Sequence, residues 1–131
     1  MINRITACGL VIAALFTCGT AQAAENTLGK NEFDARCAMC HGAGGKGDGW
    51  LADNLLKRPP SLTLLKKNNG GVFPMATVTE VIDGRKAVSL HGPRDMPVWG
   101  TVFSSMSRDN GAGLQMRLAN LTGYIKSLQS K

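Results

Sequence analysis

Cys37-Ala38-Met39-Cys40-His41 sets two thiols three positions apart and puts an imidazole directly after the second. Thiols at that spacing can add to the two vinyl groups of one porphyrin as thioethers. The adjacent histidine is then positioned to put a ring nitrogen on the iron, and C-x-x-C-H is the signature of c-type haem attachment. Two other chemistries use similar residues. A redox-active C-x-x-C belongs in a βαβ context, which this sequence lacks, and a Cys₂His₂ zinc site would have to recruit the distant His91 with no paired-histidine spacing. The reading is therefore a single covalently attached haem c.

The flanking sequence says where such a group is delivered. Arg4 supplies a positive charge, the apolar run from Ile5 to Cys18 is broken only by Thr6, Gly9 and Thr17, and Ala21-Gln22-Ala23 is a small-x-small cleavage pattern. Residues 1–23 read as a signal peptide, too short to span a bilayer as a mature helix. Phe16-Thr17 before Cys18 is a poor lipobox. Cleavage near Ala23 leaves residues 24–131 as one domain in a periplasmic or otherwise exported location, with Cys37 and Cys40 as its cysteines. In an oxidising compartment a free thiol pair is disfavoured, so these two should be a disulfide, metal ligands or attachment points.

Composition excludes other classes. The net charge of +6, one less without Arg4, is modest, and no arginine-rich or aromatic-interleaved surface argues for nucleic acid. With aromatics at 5% of residues, a domain this small buries only a thin core, leaving room for a large rigid group at its centre.

Three segments read as helices and the stretches between them as loops. The first runs from about Thr27 to Cys37, with Leu28, Phe33 and Cys37 roughly on one side. Gly29 inside it costs about 1 kcal/mol of helix propensity and implies close contact with a neighbour. The second spans Val78 to Asp83, with Thr77 and Glu80 at capping-box spacing and Gly84 suited to the left-handed C-terminal position. The third carries Leu114, Leu118, Leu121, Ile125 and Leu128 as one stripe, with Lys126 and Lys131 favourable near its end. Gly42 to Gly49, Pro59-Pro60, Asn68 to Gly71 and Pro93 to Gly100 read as loops. Gly42 to Gly47 contains a literal G-x-G-x-x-G. It follows the thiol motif rather than a strand, so tight turning replaces a dinucleotide reading.

On these residues, positions 25–131 resemble a class I cytochrome c. The likeness rests on the haem motif near the start, Gly29 and Phe33 on the first helix, Leu121 and Tyr124 on the last, and the segment Met96-Pro97-Val98-Trp99-Gly100. The resemblance implies an all-α fold of a few short helices and long loops around one haem, its terminal helices crossing. It implies Met96 as the sixth iron ligand opposite His41, with His91 and Met75 as competitors. It further implies a carbonyl of Pro59 or Pro60 accepting the His41 N–H, and Trp99, Trp50 or Arg58 near a propionate. His/Met ligation favours the ferrous state and leaves no iron position open to substrate. The expected function is electron transfer without catalysis, by a monomeric carrier, or alternatively by the relay subunit of a periplasmic or membrane-associated oxidoreductase complex. A haem sensor would require an open sixth position. Redox partners with an acidic docking surface would face some of Lys46, Lys57, Arg58, Lys66, Lys67, Arg85, Lys86 and Arg94.

Overall fold

The computed structural model describes residues 18–86, 96–107 and 111–130, with side chains from residue 26 onward. His91, Arg94, Lys131 and most of the expected signal segment lie outside the described residues. Those described form six α-helices and no strand: α1 (Cys18–Arg36), α2 (Ala38–His41), α3 (Leu65–Asn68), α4 (Met75–Asp83), α5 (Trp99–Met106) and α6 (Ala112–Ser127). Two 3₁₀ turns, Ala52–Asn54 and Leu62–Leu64, punctuate the long segment between α2 and α3. None of the helices searched is long and apolar enough to cross a membrane.

The frame is the crossing of α1 with α6. A Cβ on Gly29 would overlap the Asn120 backbone carbonyl and lie 2.8 Å from Tyr124 Cβ, so only glycine allows this approach. One turn on, the Phe33 ring meets Tyr124 with centroids 5.4 Å apart, and the core around them includes Leu118, Leu121 and Ile125. The apolar stripe read from the sequence is thus the buried face of α6, with Leu114 and Leu128 half-buried at its ends. Full burial of a Phe or Leu side chain stabilises by about 2 kcal/mol each.

The remaining helices close the other sides of the core. In α4, Val78 and Ile82, four positions apart, are buried, and Gly84 ends the helix at φ 85° as its sequence position predicts. The expected capping box is corrected. The helix starts two residues earlier than Thr77, at Met75 behind Pro74, and makes no side-chain cap hydrogen bond. Proline, which donates no N–H and has a fixed φ, is sufficient to open the helix there. Thr79 Oγ1 instead donates to the Met75 carbonyl and lies 3.2 Å from the buried Thr122 hydroxyl of α6.

The loop expected at Pro93 to Gly100 also needs correction, because Trp99 and Gly100 open α5. This helix, whose Phe103 is fully buried, is too short and too rich in β-branched, aromatic and serine residues to declare itself by propensity. Tertiary packing forms it. At the C-terminus, Gln129 holds the 62–66 segment, donating to the Leu62 carbonyl and accepting the Lys66 N–H, both at 2.8 Å.

Candidate functional site

The thiol motif occupies one helical turn. The Cys37 carbonyl accepts the N–H groups of Cys40 at 3.1 Å and His41 at 2.8 Å, while the Cys37 N–H still bonds the Phe33 carbonyl of α1. Positions i, i+3 and i+4 of a helical turn share a face. Cys37, Cys40 and His41 accordingly line the same cleft.

The loop after the motif folds back under it. Gly47 N–H bonds the His41 carbonyl at 2.8 Å, Gly49 N–H bonds the Cys40 carbonyl at 3.2 Å, and Leu51 N–H bonds the Met39 carbonyl at 2.9 Å. Gly47, at φ 80°, lies against the Pro59 carbonyl so closely that a Cβ there would overlap it. This brings Pro59 and Pro60 onto the cleft that His41 also lines. Glycine-driven turning in this loop was legible in the sequence.

The cleft measures about 420 Å³, within the range of pockets that enclose a prosthetic group. Leu62, Leu65, Val78, Val81, Ile82 and Ile125 supply apolar wall from three segments of the chain. Met96, Pro97, Val98 and Trp99 add a further wall. Met96 is half-buried and packs against the core, whereas Met39, Met75, Met106 and Met116 are exposed and none of them lines the cleft.

That last wall is pinned at both ends of the segment joining α4 to α5. Gly84 lies against the Val98 side chain. A Cβ on Gly100 would fall 2.6 Å from the Asp83 carbonyl oxygen and overlap the Asp83 carboxylate. The carboxylate also sets negative charge at the start of α5, where the helix dipole favours it, and pairs with Arg85.

Burial sets the electrostatics. It pushes the Cys37 thiol up to about 12, with the Glu32 carboxylate adding to the rise and Arg36 opposing it. Burial also raises the Cys40 thiol. Both sulfurs are neutral at neutral pH, the state an apolar cleft favours. Lys57 and Lys86 stand among the lining residues as its basic members, together with Arg36.

The residues fit a flat, largely apolar macrocycle. Two sulfurs at attachment spacing, an imidazole and a soft thioether face one apolar space, a donor set that matches an axially ligated haem. It matches a hard-metal centre poorly, and among the described residues no three His, Cys, Asp or Glu side chains are grouped to hold a metal ion.

Of the residues expected near a propionate, Trp99 lines the cleft. Arg58 and Trp50 do not. Arg58 is exposed and pairs with Asp53 at 2.6 Å, and Trp50 is 76% exposed. The residue sequence reasoning missed is Arg36. It lines the cleft, and its only sequence signals were a place directly before Cys37 and an i, i+4 relation to Glu32.

Comparison with known proteins closes the question of kinship. No curated protein and no solved structure gave a significant match. A family model described as Cytochrome c matches residues 27–129, from the first turn beyond the expected cleavage site to the residues that staple α6 to the loop. With the crossing helices, the thiol turn and the apolar cleft all inside that span, the chain belongs to the class I cytochrome c family and serves haem-based electron transfer.

Proposed function

We propose that this chain is an exported one-electron carrier holding one haem c, bonded through Cys37 and Cys40, with His41 and Met96 as axial ligands. The observation that carries the reading is that these four side chains line one apolar cleft, with Met96 the methionine on its wall. When bound, the group supplies a single iron that alternates between the ferric and ferrous states.

The chain's own residues do the rest. The two thioethers would fix the macrocycle's orientation, and His41 and Met96 would fill both axial positions, which suits electron passage and excludes bond-making at the metal. The Leu, Val and Ile walls keep water away. Low polarity combined with a soft sulfur donor favours the reduced state and raises the potential. Pro59 and Pro60, which line the cleft together with His41, are the candidates to orient its ring through a carbonyl.

Residues 1–23 act as a cleaved signal peptide, and the mature domain works as a periplasmic or otherwise exported monomer. Lys57 and Lys86 give the cleft mouth a positive potential that would draw an acidic redox partner. Electron exchange with such a partner should slow as ionic strength rises; a rate independent of salt with every acidic partner removes that part of the reading.

A bound relay subunit is the second reading. Trp50 is 76% and Leu56 91% exposed on either side of the 3₁₀ turn Ala52–Asn54, an apolar display of the kind that marks an interface. Retention by a large catalytic subunit during purification from the native source supports it, and a monomer that exchanges electrons by collision supports the carrier.

The test of the ligand set is the optical spectrum of natively matured protein. The oxidised form should show the weak iron–sulfur charge-transfer band, and Met96→Ala should abolish it. A Met96→Ala spectrum identical to wild type in both oxidation states contradicts Met96 ligation.

A further inference from the structure

Arg36 touches more of the molecule than its surface-like composition would lead one to expect. Its side chain is only 24% exposed. Nε donates to Glu32 at 2.9 Å, and the same carboxylate accepts two bonds from Arg117 of α6, at 3.0 and 3.1 Å. The guanidinium carbon stands 5.8 Å from the ring centroids of both Trp99 and Phe103, and NH2 points at the Met106 sulfur, 3.4 Å away.

These contacts span three helices. Glu32 fixes the guanidinium on α1, Arg117 fixes Glu32 from α6, and Trp99, Phe103 and the exposed Met106 all meet it from α5. An arginine bound this way has little freedom left. Its planar group stacks on rings and binds a carboxylate at once, which a lysine ammonium cannot do in one position. What it holds is the start of α5, three residues after Met96. The contacts of Gly84 with Val98 and of Gly100 with Asp83 pin the same segment to the end of α4.

We infer that Arg36 is a positioning residue for the Met96 sulfur: clamped by Glu32 and lying over Trp99 and Phe103, it holds α5 against α1 and so fixes the wall from which Met96 reaches the cleft. The inference rests on Met96 ligation as proposed above. Loosening α5 should leave haem attachment at Cys37 and Cys40 intact while weakening the sulfur's competition for the iron.

The test uses natively matured holoprotein and an external competitor, imidazole, titrated against the charge-transfer band of the oxidised form. Arg36→Gln should raise the apparent imidazole affinity about tenfold, the scale expected when a charged hydrogen bond and a cation–π contact are lost together. Met106→Leu, which removes only the sulfur acceptor, should raise it about twofold in the same direction. Gln129→Ala lowers stability at the C-terminal staple without touching α5, and it should leave the affinity unchanged.

An Arg36→Gln affinity equal to wild type overturns the inference, as does a Gln129→Ala effect of the same size, which would reduce Arg36 to general stability. If Arg36→Gln fails to mature because of its place beside Cys37, Met106→Leu decides alone, and an unchanged affinity overturns the inference. A wild-type protein that lacks the band refutes Met96 ligation instead, so the two failures are distinguishable.

Discussion

The crossing of α1 with α6 and the segment from Met96 to Trp99 bound the same cleft by opposite means. At the crossing, Phe33, Leu118 and Leu121 are fully buried, and a glycine brings the two backbones into contact. Along the other wall Met96, Val98 and Trp99 are only half-buried. That wall is held by two glycine contacts with the end of α4 and by the guanidinium of Arg36. One side is a packed core that resists change, and the other is a tethered edge. On the ligation proposed above, such a build would keep the thiol turn rigid and make the Met96 sulfur the weaker partner.

Substitutions should separate the two. Leu118→Ala, which opens a cavity in the crossing, is expected to cost about 3 kcal/mol of unfolding free energy, read by denaturant titration, while the folded protein keeps its charge-transfer band. Gly29→Ala should cost about 2 kcal/mol, more than its helix propensity returns, because the obstructing atom is a backbone carbonyl that cannot rotate aside. If it proves neutral or stabilising, the close crossing is wrong.

Gly100→Ala strikes the tethered edge. A global loss of about 1 kcal/mol is expected, but the iron–sulfur band should disappear on heating well before the far-ultraviolet helix signal does. Coincident loss of both signals would mean the two walls are not distinct.

Near neutral pH the smallest effect is in the haem-free chain, where the thiols report on the attachment side. Cys37 is raised to about 12 and therefore keeps its proton in the folded state after an unfolded thiol has lost it. The unfolded chain then binds fewer protons, so stability present below the unfolded thiol value of about 8.5 declines as pH rises toward 12. At pH 8 the more exposed Cys40 should react with iodoacetamide before Cys37. Equal rates would contradict the burial of Cys37.

The difference between the walls also explains what the sequence made legible. The crossing could be read because its physics is local: an i, i+4, i+7 stripe on α6 and a costly glycine inside α1 each have a residue-level cause. The thiol turn was equally plain, since C-x-x-C-H fixes its own geometry within five residues. The tethered edge was not. Helix α5 lacks a propensity signal, and the guanidinium lying over its Trp99 and Phe103 comes from Arg36, more than sixty residues earlier in the chain. Thr77 and Glu80 matched a capping pattern, yet Pro74 opens the helix first. Arg58 and Trp50 carried suitable chemistry, but no sequence pattern indicated that the loop would turn them outward.

Two sulfurs of one helical turn are expected to bind a single haem. The most direct measurement is the intact mass, under denaturing conditions, of protein matured in a host with a haem-attachment system. The expected value is the polypeptide from residue 24 to 131 plus one haem, surviving unfolding. A bare polypeptide, or a haem released on denaturation, would contradict it.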